Sequence, residues 1–138
     1  MGWNDFSLPI CGSQYENEDG TSRQEELALC APGDRLELKR EPDNPHDPMA
    51  VAVLTERSVC VGYLNRVRAG WIGSKIDRGY DVRAIVERVR GRSMKGVPLD
   101  VILRINMDGE NPELPDSGMQ TLVDQVLMRD RDSNMVPQ

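Results

Sequence analysis

A chain of 138 residues predicts one domain, long enough to bury a real core; with one Phe, two Trp and three Tyr, that core must be mostly Val, Leu, Ile and Ala. No apolar run approaches the ~20 residues that span a bilayer. The start, MGWNDFSLPICG, lacks the features of a secretory signal or of a myristoylation pattern, so no membrane partner and a cytoplasmic location are expected. The net charge of −6 is unevenly spread: residues 1–32 and 107–138 each carry −5, whereas residues 33–106 carry +4. Between 66 and 95 nine basic residues stand against three acids, so acidic ends flank a middle able to meet phosphates.

In chain order, Phe6 to Cys11 predicts a first strand, with Gly12 as a bend after it. Ser22 and Glu25 form a capping-box pattern that opens a short helix, and Pro32 and Gly33 end it. So short a helix must be held by packing, through Leu27 and Cys30 or Ala31. Arg35 to Arg40 alternates apolar and charged residues, which predicts a strand. Met49 to Leu54 is apolar on both faces and predicts a central strand. Thr55 to Ser58 is a hairpin turn, and Val59 to Leu64 is the next strand, where Gly62 leaves room for close backbone approach.

Asn65 caps a second helix that ends at Gly79. Val67 and Trp71, then Ile72 and Ile76, fall at helical spacing, so Trp71 is expected in the core. Gly70 and Gly73 weaken a helix and point to close packing. Arg66 and Arg68 occupy the first turn, where the macrodipole disfavours cations and a nearby phosphate would suit them. Tyr80 to Arg90 and Pro98 to Asn106 are two further strands around a turn at Gly91 to Val97. Six short strands and two helices, in the order β-α-β-β-β-α-β-β, predict a mostly β small barrel over residues 1–106. Residues 107–138 read as an acidic, Pro- and Gly-rich linker and tail, partly disordered, with a short helical pattern at 121–128.

Cys11, Cys30 and Cys60 are scattered, each among apolar neighbours, and the only histidine is His46. No closely spaced ligand pair exists, so no metal and no cofactor are expected. His46 stands beside Asp47 without a nucleophile or oxyanion donor, so no catalytic residue is assigned and an enzyme is not expected.

The stretch Leu36 to Leu54, LELKREPDNPHDPMAVAVL, is the most distinctive in the chain. Pro42, Pro45 and Pro48 stiffen the loop between its two strands, while Asp43, Asn44 and Asp47 can bond nearby amides. One reading is a rigid turn; the other is a platform presenting Asn44, His46 and Asp47. The run REPDNPHDPMAVAV, followed by VGYLNRVRAGWI, resembles a HIRAN domain over about residues 6–106, of the stand-alone bacterial or phage type. The resemblance implies an OB-like barrel with two helices, and binding of single-stranded DNA with a pocket for the free 3′ end. DNA repair or replication-fork processing is the setting it implies.

Carried over residue by residue, Asp47 matches the loop aspartate that receives the 3′-hydroxyl. Such a carboxylate accepts a hydrogen bond from a hydroxyl and repels a phosphate. Asn44 matches the loop asparagine, Tyr15 a tyrosine that stacks on a terminal base, Tyr63 the aromatic after glycine, and Arg66 a basic position near the backbone. Gln14 replaces an arginine found in some relatives, and His46 replaces a frequent tyrosine. The alternative is a protein-interaction adaptor, in which the tail recruits a DNA translocase or nuclease.

Overall fold

The computed structural model describes residues 4–115. Eight elements follow in chain order: β1 (Phe6–Pro9), α1 (Arg23–Ala28), β2 (Arg35–Arg40), β3 (Val51–Thr55), β4 (Cys60–Tyr63), α2 (Arg66–Asp77), β5 (Arg83–Arg90) and β6 (Asp100–Asn106). The six strands form one antiparallel sheet in the order β1-β6-β5-β2-β3-β4, curled into a half-barrel. This is the mostly β, six-strand, two-helix architecture expected from the sequence.

Strand alternation sets the inside of the curl. Leu8, Val86, Leu103, Ile105, Val51 and Val53 point inward and meet Leu27 of α1 and Ile72 of α2. β3 lies between β2 and β4, and Val51, Ala52 and Val53 are all fully buried, which explains its run without polar residues. Two bulges shape the curl. Val61 is the extra residue between β3 and β4, and Glu87 is the extra residue between β5 and β6. β2 and β5 pair over only two residues, Arg35 with Ile85 and Leu36 with Ala84.

Both helices begin as their caps predict. Ser22 Oγ accepts from the Glu25 amide at 3.1 Å, and Asn65 Oδ1 accepts from the Arg68 amide at 2.9 Å. Leu27 and Cys30 anchor α1, while Ala31 is exposed. The buried face of α2 differs from the one expected. Ala69, Ile72 and Gly73 face the core, whereas Val67 is 82% exposed and Trp71 is 42% exposed. Small residues let the helix sit close to the sheet: a Cβ on Gly73 would lie 2.9 Å from Arg40 Cδ and 3.3 Å from Val51. That approach turns the larger side chains outward. Gly70, by contrast, faces open space.

Residues 107–115, expected as the start of a linker, fold back on the sheet. Asn106 Oδ1 accepts from the amides of Asp108 and Glu110 at 2.8 and 3.2 Å. Its amide nitrogen donates to Asp5, and the other Asp5 oxygen accepts from the Glu113 amide at 2.9 Å. Beside them, Glu87 accepts from Ser7 Oγ at 2.6 Å and from Arg104 at 3.2 Å. The remaining tail, with the pattern at 121–128, lies outside the described residues.

Candidate nucleic-acid interface

The proline loop, Glu41 to Pro48, joins β2 to β3 and is tied down by its own side chains. Asn44 Oδ1 accepts from the amides of His46 and Asp47 at 2.8 and 3.1 Å, and its Nδ2 donates to Glu41 Oε1 at 2.9 Å. Asp47 Oδ1 accepts from the Met49 amide at 2.9 Å. These are the Asx turns expected of such residues. Arg40 clasps the exit of the loop, donating to the carbonyls of Pro48 and Ala50, and anchors it to α2 through Asp77. With Oδ1 so engaged, Asp47 turns Oδ2 toward Arg66 Nε, 3.6 Å away on the first turn of α2. The aspartate is half-buried, but the arginine side chain is 82% exposed. A pair this open is held weakly and is free to exchange one partner for a ligand.

The second half of the site lies where the two edges of the sheet meet. Beyond β1 the chain continues to Cys11, which exchanges two backbone bonds with Tyr63 of β4, at 2.7 and 2.9 Å. Gly62 permits this seam. A Cβ there would stand 2.7 Å from the Cys11 carbonyl oxygen, a contact no side chain tolerates. The seam sets the Gly12–Tyr15 turn beside Tyr63. Tyr15 is 64% exposed, and its ring lies close to Gly12.

Two residues outside the predicted set brace the site, Arg23 within its second half and Glu41 between the two halves. Arg23 of α1 donates to the Gly12 carbonyl at 2.7 Å and to Asn17 at 2.7 Å, and its guanidinium lies 5.4 Å from the Tyr63 ring. Glu41 Oε1 accepts from both the Tyr63 hydroxyl, at 2.8 Å, and Asn44. Burial, reinforced by this bond to Glu41, raises the Tyr63 phenol above its ordinary pKa, so it stays a donor. Burial likewise raises the thiols of Cys30 and Cys60. Among the described residues no group of three His, Cys, Asp or Glu side chains is placed to hold a metal, and no helix is long and apolar enough to cross a membrane.

Of the predicted site residues, Asn44, His46 and Asp47 share the loop, with the His46 side chain exposed. Arg66 meets Asp47 directly, and Tyr63 meets the loop through Glu41. Gln14 and Tyr15 stand exposed on the turn across the seam. Tyr63 is fixed at both its hydroxyl and its ring, so it acts as a strut; Tyr15 is the ring open to a ligand. Arg23 was hidden within a helix-start pattern. Glu41 sits three residues before Asn44, a spacing that fits a turn closed by side chains.

The HIRAN domain family model matches residues 4–105, about three quarters of the sequence, and the chain belongs to that family, known as a DNA 3′-end-binding module. Two solved structures share the fold. The HIRAN domain of human HLTF is 18% identical, with a TM-score of 0.56, covering 74% of this chain and 73% of that one. A protein from Lactobacillus plantarum is 20% identical, with a TM-score of 0.53, covering 74% of this chain and 98% of its own. A search of the curated proteins gave no match.

Proposed function

We propose that this chain is a non-enzymatic module that binds single-stranded DNA and captures its free 3′-hydroxyl end. The observation that carries the reading is the division of labour within Asp47. One oxygen is fixed to the Met49 amide, and the other is presented beside Arg66. A terminal hydroxyl donates to the presented oxygen, and the neighbouring phosphate meets the guanidinium. A 3′-phosphate in the same place sets anion against anion, so ends are selected over phosphorylated or internal positions. Tyr15 offers an exposed ring for the terminal base, a stacking contact worth ~1–3 kcal/mol. Asn44 holds the loop, and Gln14 and His46 line its approach with polar contacts.

The setting is DNA repair or replication-fork processing, where a partner translocase or nuclease supplies the catalysis. Nuclease protection tests the polarity. The protein is expected to shield a labelled strand from a 3′-to-5′ exonuclease and to leave it open to a 5′-to-3′ enzyme. Equal shielding of both ends would sink the reading.

A further inference from the structure

The outward face of α2 carries an arrangement that end capture does not use. With Ala69, Ile72 and Gly73 turned to the core, Arg68, Trp71, Lys75 and Arg78 recur at spacings of three and four and form one row. Arg66 and Asp77 are engaged elsewhere, with Asp47 and Arg40. The Arg68 guanidinium lies 5.5 Å from the Trp71 ring, and Phe6 packs against the same ring at 5.5 Å. Lys75 and Arg78 both lie over Tyr80, at 4.4 and 5.3 Å. The two rings are thus held in place, yet 42% and 43% exposed. Among the described residues no carboxylate pairs with Arg68, Lys75 or Arg78. A helix face that served only for solubility would interleave acids with these cations and would not fix two large rings in water.

We infer that this row is a second nucleic-acid contact, a track for a single strand that needs no free end. Phosphates meet Arg68, Lys75 and Arg78, and bases stack on Trp71 and Tyr80. The row runs from Arg68 to the C-cap Arg78, ten residue steps or about 15 Å along the helix axis. That matches about four nucleotides of stacked strand at about 3.4 Å each. An acidic peptide would satisfy the cations but offers no flat face to the rings, so a polynucleotide fits better. The track is chemically independent of Asp47, so it stands or falls apart from end capture.

The test uses the full chain and a fluorescent closed circle of single-stranded DNA, which has no end to capture. Wild type is expected to bind the circle, and Asp47→Asn, which loses only a carboxylate that repels internal phosphates, to bind it at least as tightly. The combined variant Arg68→Ala, Lys75→Ala, Arg78→Ala is expected to bind it at least ~tenfold more weakly, with a log–log salt slope shallower by about 2, from ~0.7 per lost phosphate contact. These side chains are peripheral, so the variant should melt like wild type. In a Trp3→Phe background, the circle should quench Trp71 fluorescence. Wild-type affinity for the circle in the combined variant would overturn the inference, as would no circle binding by wild type. So would competition by polyglutamate as effective as that of an oligonucleotide of equal charge, which would assign the row to an acidic protein.

Discussion

Glu41 is the hinge of the site at the level of single residues. Its Oε1 takes two donors, one from each half. Removing it strands the part-buried Tyr63 hydroxyl and the Asn44 amide. Glu41→Ala is therefore expected to cost ~1–3 kcal/mol, read as a lower midpoint in thermal or urea unfolding, and to weaken DNA binding together with stability. Tyr63 supplies a pH signature. Its folded pKa is raised above the ordinary value of 10.0, so the neutral phenol is the form the fold favours. The stability it contributes is full below pH 10 and is lost as the pH rises above it. Thermal melts across that range should fall more steeply for wild type than for Tyr63→Phe; parallel curves would remove the role assigned to the hydroxyl. Much at this scale was legible in the sequence. Asn44, Asp47 and the two helix caps perform the amide bonding their residue types imply. The ties from Glu41 to the Tyr63 hydroxyl, 22 residues away, and from Arg23 to the Tyr63 ring were not legible, because no local pattern encodes such distances.

Glycines show why element-level reading has a limit. Gly70 and Gly73 look alike in the sequence, both being breaks in a helical pattern. Packing separates them: Gly73 meets Arg40 and Val51, whereas Gly70 meets nothing. Gly70→Ala is expected to stabilise α2 by ~0.5–1 kcal/mol, a rise in melting midpoint of a few degrees. Gly62→Ala should do the reverse. A methyl group 2.7 Å from the Cys11 carbonyl must part the seam, costing ~1–3 kcal/mol and pulling the Tyr15 turn away from the loop. Loss of DNA affinity beyond the loss of folded protein would tie the seam to function. The same logic explains Trp71. Its helical spacing with Val67 predicted burial, but small residues on the neighbouring face took that place.

Across the whole molecule, the succession of strands and helices along the chain and the mostly β class followed from alternation and turn residues, while the order of the strands in the sheet and its seam at Cys11 and Tyr63 did not. The seam depends on two bulges and a long-range backbone pair, and neither leaves a composition signal. Composition also marked 107–115 as linker, because its bonds to Asp5 and Asn106 use backbone amides that any sequence carries. A truncation after Pro115 is accordingly expected to keep both the wild-type melting midpoint and 3′-end binding. One after Asn106 uncovers Asp5 and should lower the midpoint by several degrees. Equal midpoints would show the folded-back segment to be dispensable. End capture by this module rests on Asp47 choosing a hydroxyl over a phosphate. The most direct measurement is fluorescence anisotropy on one short strand ending in either a 3′-hydroxyl or a 3′-phosphate, at moderate salt, with wild type and Asp47→Asn. The prediction is a preference for the hydroxyl of about tenfold or more in wild type, lost in the variant. Equal binding of the two ends by wild type would contradict it and leave only a basic surface.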